Sequence, residues 1–272
     1  MIASSTRSNK FLMDLRAGQP KFVLVIRNAR TTDTVRIAAS TGHHSILVDL
    51  EHSTMSLDVA AALCAAAGDL ELTPFVRVAE REYGAIGRLL DGGAHGIVSP
   101  RIETAVEAHT IARACRFAPN GQRSQLASVP QLGMTPTPAP RMNPILDATT
   151  IVQVIIETSR GVDNADAIAA VDGLDMIAIG ANDMTTELGI PGQYDHPEFR
   201  AAVATVAEAC KRHETLLMLG GVSDEPTFAS LATLGICPMR LTGMDTDLLY
   251  GAAKERVDKL NAAYAAAEPN RE

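Results

Sequence analysis

The chain has 272 residues, with 24 lysines and arginines against 32 aspartates and glutamates, and a formal net charge of −8. Apolar residues make up 46% of it, which argues against intrinsic disorder, and the acidic balance argues against a nucleic-acid binder or a protein held on anionic lipid. No apolar run approaches the roughly 20 residues that span a bilayer, and the first ten residues lack the apolar core of a signal peptide, so we expect a cytoplasmic protein.

Short apolar segments typical of strands alternate with longer helical patterns along almost the whole chain. The strand segments are near-continuously apolar, which is typical of a parallel sheet buried on both faces. The predicted strands are Phe22–Ile26, Ser45–Leu50, Thr73–Val78, Gly96–Ser99, Ile151–Ile156, Leu174–Ile179, Leu216–Leu219 and Met239–Leu241. The predicted helices cover residues 32–40, 57–67, a segment through 90, 104–115, about 163–170, 183–188, 197–213, 225–234 and about 246–263.

Eight β-then-α units in one chain predict the α/β class and a closed (β/α)8 TIM barrel, forming a single domain over residues 1–272. The alternative is an open doubly wound sheet, which often carries a glycine-rich phosphate turn after its first strand. Here the first strand is followed by Arg27, Asn28, Ala29 and Arg30, with no such turn. The barrel is therefore favoured over the dinucleotide-binding fold.

One segment, about residues 119–147, does not fit the repeat of strands and helices. It lacks a clear period and is rich in proline, which predicts a long loop without a regular helix. A loop of this length is either functional or mobile, or it is a solvated excursion, and the sequence leaves the two readings open. The β/α alternation resumes at Ile151, so the segment marks no domain boundary.

Polar residues follow most of the predicted strands, at the end of a barrel where chemistry takes place. Each alone is a weak signal, but their collection at one end of the fold indicates an active site. These residues are Asp49, Glu51 and His52 at the end of strand two, Arg77 in strand three, Arg101 after strand four, Glu157 after strand five, Asn182 and Asp183 after strand six, and Asp245 after strand eight.

Two of these carboxylates, Glu157 and Asp183, come from consecutive β/α units and are expected to lie side by side. Adjacent carboxylates repel each other unless a cation or a proton lies between them. Oxygen ligands without cysteine or histidine suit Mg²⁺ or Mn²⁺, and Co²⁺ is also chemically suitable. Such an ion stabilises an enolate beside a 2-oxo acid. The competing interpretation is that each acid caps a helix or is solvated.

His52 and Arg77 are the candidates for proton transfer and for anion binding. Histidine suits proton transfer near neutral pH, and an acid beside His52, such as Asp49 or Glu51, would orient its ring. Asp49 and Glu51 are two residues apart, so in an extended strand they face the same side. The guanidinium of Arg77 suits an enolate or carboxylate oxygen, although a core ion pair with a neighbouring acid is the competing interpretation.

The chain resembles the HpcH/HpaI aldolases, metal-dependent class II pyruvate aldolases of the hydroxy-oxo-heptanedioate and dehydro-deoxy-glucarate type. The resemblance runs through nearly the whole chain, in a fixed order and spacing of motifs. It is carried by Phe11–Pro20, Val48–His52, Pro74–Val78, Ala118–Arg123, Ile156–Thr158, Ile179–Met184, Gly189, His196–Glu198 and Thr242–Leu249.

The resemblance implies a role for each matching residue. Glu157 and Asp183 match the two metal ligands of the family, and His52 matches its catalytic base, with Asp49 as the supporting acid. Arg77 matches the arginine that contacts the 2-oxo oxygen. The turn Gly180, Ala181, Asn182 and Asp183, which opens a helix, matches the site whose amides receive the pyruvate carboxylate, as expected for a helix N-terminus. The resemblance also implies a homo-oligomer, a hexamer with an exchanged C-terminal helix.

Three departures from the family pattern bear on the reaction. Ile155 replaces a glutamine and points the same way as Glu157, so hydrocarbon replaces a polar group near the metal. Ala181 replaces the usual proline, and Ser124 replaces a glycine. Arg101 or Arg123 is a candidate for binding a distal carboxylate of the substrate, and a solvated rim arginine is the competing interpretation.

These residues predict a divalent-metal-dependent aldolase that reversibly cleaves a 4-hydroxy-2-oxo acid to pyruvate and an aldehyde through a pyruvate enolate. The lysines are few and none lies in a predicted strand, which favours the metal route over a Schiff base. One alternative is a related enolate enzyme, such as an oxaloacetate decarboxylase or a C–C-bond-forming synthase. Another is a non-catalytic barrel that binds a metabolite.

Overall fold

The computed structural model describes the backbone of residues 7–267 and the side chains of residues 10–266. Residues 1–6, which belong to the polar start that predicted the absence of a signal peptide, lie outside the described residues. The strands are β1 (Lys21–Ile26), β2 (Ser45–Asp49), β3 (Thr73–Arg77), β4 (Gly96–Ser99), β5 (Ile151–Ile156), β6 (Met176–Gly180), β7 (Leu216–Gly220) and β8 (Met239–Met244).

The eight strands form one parallel sheet that closes on itself. The order is β7-β6-β5-β4-β3-β2-β1-β8, so each strand lies beside its neighbours in the chain, and β8 returns to β1. At the seam between β7 and β8, the amide of Cys237 donates to the carbonyl oxygen of Leu217 at 2.7 Å. The prediction of a (β/α)8 barrel is therefore confirmed, with strand bounds that differ by up to three residues.

Twelve helices are described, most of them on the outside of the sheet. Among residues 7–267, none is long and apolar enough to cross a membrane. The segment predicted as one helix near 163–170 forms two short ones. The helices are α1 (Arg7–Arg16), α2 (Asp33–Ser40), α3 (Leu57–Asp69), α4 (Ile86–Asp91), α5 (Ala105–Cys115), α6 (Ala139–Thr149), α7 (Ser159–Asp163), α8 (Ala165–Ala169), α9 (Ala181–Glu187), α10 (Pro197–Arg212), α11 (Glu225–Ala232) and α12 (Asp245–Ala267).

The apolar side chains divide into two layers because successive strand residues point to opposite faces of the sheet. In β1, Leu24 and Ile26 pack outward under the helices, whereas Val23 and Val25 pack into the barrel interior. Helix α1 closes the amino-terminal end of the barrel, where the rings of Phe11 and Phe75 lie 5.5 Å apart. The carboxyl end is left for the polar residues that follow the strands.

One lysine does lie in an observed strand, because β1 begins at Lys21, one residue before the predicted start. The Lys21 ammonium lies 2.6 Å from an Asp14 oxygen, and both side chains are about nine-tenths buried. Asp14 belongs to α1, which covers the amino-terminal end of the barrel. Lys21 therefore supports the closing helix and lies at the end opposite to the predicted site.

The prediction that prolines exclude a regular helix from residues 119–147 is wrong at its end, because α6 runs through two of them. Pro140 occupies the first turn, where a missing amide removes no intrahelical bond. Pro144 does remove one, and burial of the inner face offsets that loss. The segment has a small core of its own, formed by Phe117, Val129, Met142 and Leu146.

Candidate active site

The strand-end residues singled out from the sequence lie at the carboxyl end of the barrel, where Asp49, Arg77 and Glu157 face the interior. Asp49 and Arg77 are the last residues of β2 and β3, and the two strands pair in register at these positions. Glu157 directly follows β5, and Gly180 ends β6. The side chains of Asp49 and Glu157 are buried, whereas Asp183, in the first turn of α9, is exposed. The site therefore has a buried floor and an open mouth.

Glu157 and Asp183 lie within hydrogen-bonding reach of each other, as their positions on consecutive units predict. Burial raises the pKa of Glu157 well above its ordinary value, and the charges of Asp183 and Glu51 raise it further. The amide of Arg101 donates to Glu157 Oε1 at 2.8 Å, which acts in the opposite direction but less strongly. The raised pKa of Glu157 therefore calls for a proton on its carboxyl group or for a cation beside it.

The donor set fits a hard divalent ion that keeps open coordination positions. Among residues 7–267, no group of three or more histidine, cysteine, aspartate or glutamate side chains is placed to enclose a metal. Two carboxylates with room beside them leave positions for water and a chelating substrate, as Mg²⁺ and Mn²⁺ require. The room comes partly from Gly180, since a Cβ there would lie 2.6 Å from Glu157 Oε2.

Arg77 is held by two acids rather than by one. Its Nε donates to Asp49 Oδ1 at 3.0 Å and its Nη2 to Asp49 Oδ2 at 2.7 Å, while Nη1 lies 3.2 Å from Glu51 Oε2. Burial acts to raise the pKa of Asp49, but the hydrogen bonds and charge of Arg77 lower it below its ordinary value. Burial dominates at Glu51 and raises the pKa of that carboxyl. The core ion pair foreseen for Arg77 exists, and it fixes a partly accessible guanidinium at the mouth.

His52 does not have the partner that the resemblance implied. Asp49 Oδ1 accepts from the main-chain amides of Glu51 and His52, at 3.0 and 3.3 Å, and its remaining bonds go to Arg77. The His52 ring lies instead beside Glu51, with 3.7 Å between Nε2 and Oε2, and is about half exposed. Asp49 therefore shapes the turn that carries His52, and Glu51 is the acid beside its ring. In the sequence, the two-residue spacing of Asp49 and Glu51 indicated that both acids lie near His52.

The turn after β6 opens α9 at Ala181, two residues before the predicted start. Gly180 is the N-cap and supplies no side-chain oxygen, so it leaves the amides of Ala181, Asn182 and Asp183 to other partners. The Asn182 side chain accepts from the hydroxyl of Tyr194, and a Cβ at Gly221 would lie 3.2 Å from its Nδ2. These contacts fix the side chain of Asn182 between Tyr194 and Gly221.

The two arginines proposed for a distal carboxylate lie in different places. Arg101 is at the mouth, with a left-handed backbone (φ +53°) and its Nε 3.6 Å from Glu80 Oε2. Arg123 is buried, bonded to Asp91 at 2.8 Å and stacked 4.7 Å from the centre of the Phe117 ring. Asp91 ends α4, and that helix end lies at the amino-terminal face of the barrel. The placement contradicts the hypothesis for Arg123, which is a structural ion pair. Ser124, one of the departures from the family pattern, adjoins it.

Ile155 points into the barrel, as its two-residue spacing from Glu157 predicts. It is 8% exposed and packs in the inner apolar layer, directly below the carboxylate of Glu157. A Cβ at Gly180 would lie 3.4 Å from its Cγ2. The hydrocarbon side chain therefore contributes to the burial that raises the pKa of Glu157.

Known proteins resemble this chain over most of its length. The model of the HpcH/HpaI aldolase/citrate lyase family matches residues 23–236. The 4-hydroxy-4-methyl-2-oxoglutarate aldolase of Hapsidospora irregularis is 39% identical over 201 residues, which are 73% of this chain and 74% of that protein. The aldolase of the same name from Chaetomium globosum is 36% identical over 249 residues, 90% and 92% of the two chains. The crystal structure of an HpcH/HpaI aldolase from Desulfitobacterium hafniense shares the fold, with a TM-score of 0.84 at 24% identity over 91% of this chain and 95% of that one.

Proposed function

The chain belongs to the HpcH/HpaI aldolase/citrate lyase family, and on this premise we propose a divalent-metal-dependent carbon–carbon lyase that cleaves a 4-hydroxy-2-oxo acid. One product is pyruvate and the other is an aldehyde or ketone. The observation that carries the proposal is the convergence of a paired-carboxylate site, Glu157 and Asp183, with the guanidinium of Arg77 at one end of the barrel. The names of the relatives suggest 4-hydroxy-4-methyl-2-oxoglutarate, whose cleavage would yield two molecules of pyruvate.

We assign the binding of the substrate to the α9 turn and to Arg77. The main-chain amides of Ala181, Asn182 and Asp183 receive the C1 carboxylate, and the guanidinium of Arg77 donates to the 2-oxo oxygen. Mg²⁺, Mn²⁺ or Co²⁺ held by Glu157 and Asp183 would supply Lewis-acid stabilisation of that oxygen.

His52 is the proposed base for the cleavage step. It takes the proton from the 4-hydroxyl, the electron pair of that O–H bond forms the new C=O, and the C3–C4 bond breaks. The electrons of the broken bond move to C3 and the 2-oxo oxygen as a pyruvate enolate, which Arg77 stabilises by its positive charge. The carboxylate of Glu51, with Oε2 3.7 Å from Nε2 of His52, orients the ring for this transfer. Protonation of C3 then releases pyruvate.

Exchange of solvent deuterium into the methyl group of pyruvate tests the proposal without knowledge of the second product. We expect exchange with Mg²⁺ or Mn²⁺ and its loss when EDTA removes the ion, since the enolate forms only with charge stabilisation at the 2-oxo oxygen. The metal salt without protein is the control. Absence of exchange with every divalent ion would contradict an enolate enzyme and leave the non-catalytic metabolite-binding barrel. Exchange together with pyruvate release from oxaloacetate, but without cleavage of any 4-hydroxy-2-oxo acid, would favour the decarboxylase or synthase.

We also propose that the protein is a homo-oligomer joined through α12. All side chains from 247 to 266 are exposed, so this long helix stands away from the barrel. One face carries residues at a 3-4 spacing typical of helix–helix contacts, and such an exposed apolar stripe calls for a partner surface. We call it the α12 stripe, and it consists of Tyr250, Ala253, Val257, Leu260 and Tyr264. The partner that we propose for the α12 stripe is a second copy of the chain. The family resemblance suggests that this helix is exchanged between subunits of a hexamer.

A charge placed in the α12 stripe is expected to dissociate the assembly. Val257→Glu buries an unpaired carboxylate in any contact through the stripe, which we expect to reduce the subunit count measured by light scattering and sedimentation. Ala262→Glu adds the same charge on the opposite face of the helix and is expected to leave the count unchanged. A monomeric unmodified protein, or equal effects of both variants, would contradict the proposal.

A further inference from the structure

The side chain of Arg27 points into the mouth of the barrel, although it did not stand out in the sequence. Val23 and Val25 belong to the inner layer and Ile26 to the outer one, so the next residue faces inward again. Its Nη1 lies 3.6 Å from the sulfur of Met244, which packs against the inner layer. The last residue of β1, Ile26, lies beside Val48, and Arg27 directly follows it, as Asp49 follows Val48 on β2. Arg27 therefore belongs to the same layer as the predicted site.

Unlike its neighbours at the mouth, Arg27 has no carboxylate partner within salt-bridge distance among the described residues. Arg77 is paired with Asp49 and Glu51, and Arg101 lies near Glu80. The only side-chain contact described for the Arg27 guanidinium is the thioether of Met244, a weak acceptor. A partly buried guanidinium without an anion in the protein is suited to bind one from outside.

The loop that carries Arg27 is fixed by one aspartate. The carboxylate of Asp245, the first residue of α12, accepts from the amides of Arg27, Asn28 and Ala29 at 3.1, 2.9 and 2.7 Å. It also accepts from the amide of Thr246 at 2.9 Å. The three bonds from residues 27–29 tie the end of β1 to the start of α12, so the guanidinium extends from a fixed backbone position rather than from a free loop.

Arg27 and the paired carboxylates lie on opposite sides of the mouth of the barrel. In the barrel order, β7 and β8 lie on one side of β1, and β5 and β6, which carry the paired carboxylates, lie across the barrel. A substrate whose 2-oxo acid end lies at Glu157 and Asp183 can therefore extend its other end toward Arg27.

We propose that Arg27 is a specificity residue that binds the distal carboxylate of a diacid, the C5 carboxylate of a 4-hydroxy-2-oxoglutarate-type substrate. The proposal rests on the aldolase function for the position of the 2-oxo acid end. It replaces Arg123 in this role, because that side chain is buried against Asp91. It also ranks above Arg101, whose side chain is turned toward Glu80. The fork of donors on Arg27 matches the two oxygens of a carboxylate.

Binding of two unreactive five-carbon acids tests this assignment. 2-Oxoglutarate carries the C5 carboxylate, 2-oxopentanoate lacks it, and neither has a 4-hydroxyl group that would allow cleavage. Calorimetric titration with Mn²⁺ present is expected to show tighter binding of 2-oxoglutarate by the unmodified protein. Arg27→Ala is expected to weaken 2-oxoglutarate binding roughly 10- to 100-fold, as for loss of a charged hydrogen bond. Binding of 2-oxopentanoate should stay within about threefold, which also shows that the variant is folded.

Two further variants keep the outcome decisive. Arg27→Lys retains the charge without the fork and is expected to recover part of the preference, whereas Arg101→Ala is expected to keep all of it. An unchanged ratio of the two affinities in Arg27→Ala, or loss of the preference in Arg101→Ala instead, would overturn the assignment. Deuterium exchange into pyruvate by the unmodified protein is measured as a separate test of the aldolase function. If exchange is absent while the ratio still depends on Arg27, the aldolase function fails and the carboxylate subsite stands.

Discussion

Glu157→Ala is expected to lower the rate of metal-dependent deuterium exchange into pyruvate by about a thousandfold or more. The variant removes the buried one of the two carboxylates, and Asp183 alone, exposed at the start of α9, makes a weak site for a divalent ion. Several kcal/mol of enolate stabilisation depend on that ion, and each 1.36 kcal/mol is a tenfold change in rate. Titration of the variant with Mn²⁺ should show a parallel loss of affinity.

Loss of a negative charge alone should not have this effect. Glu187→Ala removes an exposed carboxylate at the end of the same helix, α9, and is expected to retain exchange and Mn²⁺ affinity. If Glu157→Ala exchanged pyruvate at the rate of the unmodified protein, the assignment of Glu157 as a metal ligand would be wrong. The two variants change the net charge equally, so long-range electrostatics cancels in the comparison.

A pair of glycines tests the position of the Glu157 carboxylate without removing it. A Cβ at Gly180 would lie 2.6 Å from Glu157 Oε2, whereas a Cβ at Gly220, its register partner on β7, would meet nothing closer than 3.8 Å. The backbone of Gly180 (φ −82°) suits any residue, so Gly180→Ala acts through the contact alone. We expect it to slow exchange up to about 100-fold, as for a displacement of about 1 Å, while Gly220→Ala keeps its rate.

The barrel could be predicted because each strand is apolar on both faces and each unit repeats the same order. Those are local properties, visible in any window of the sequence. The helix α6 was not visible in this way, since its two prolines oppose helix formation locally. It forms because Met142 and Leu146 find Phe117 and Val129, residues that are distant in sequence. Whether such a segment forms a helix depends on burial against distant residues, which no local sequence pattern shows.

The site could be located from the sequence but its contacts could not. The positions of Glu157, Asp183 and Arg77 at or just after strand ends predicted that they lie at the same end of the barrel, because the topology brings the ends of parallel strands together. Which acid faces His52 depends on side-chain directions within one turn, and there Glu51 rather than Asp49 lies beside the ring. The same holds for Arg27 and Arg123. Whether each guanidinium is free to bind a ligand depends on whether a carboxylate from another element reaches it, and the sequence does not show this.

Arg77→Leu is expected to be the most destabilising of these substitutions, besides abolishing exchange. The Asp49 side chain is fully buried and is neutralised by two hydrogen bonds from Arg77. Removing one partner of a buried ion pair leaves an uncompensated charge and typically costs about 3–5 kcal/mol in the free energy of unfolding. Urea denaturation at one protein concentration measures this loss. Activity should fall as well because the 2-oxo oxygen loses its guanidinium.

Two companion variants separate the ion pair from the catalytic contact. Arg77→Lys keeps a positive charge near Asp49 but cannot bond both of its oxygens in the same fork, so stability should fall less than in Arg77→Leu. The double variant Asp49→Leu with Arg77→Leu removes both buried charges and is expected to regain at least half of the lost stability, about 2 kcal/mol, without regaining activity. A double variant no more stable than Arg77→Leu would contradict the unpaired charge of Asp49 as the cause.

The pH dependence gives the sharper test of that cause. In the unmodified protein the pKa of Asp49 lies below its ordinary value of 3.8, so its contribution to stability is present above that pH and is lost as pH falls through the folded pKa. In Arg77→Leu the hydrogen bonds and charge of Arg77 no longer act on Asp49, and burial, the largest influence, raises its pKa. The folded variant then binds a proton more tightly than the unfolded chain, so its stability falls as pH rises above 3.8. The stability difference between the two proteins should therefore be larger at pH 7.5 than at pH 4.5, and a difference independent of pH would rule out Asp49 as its source.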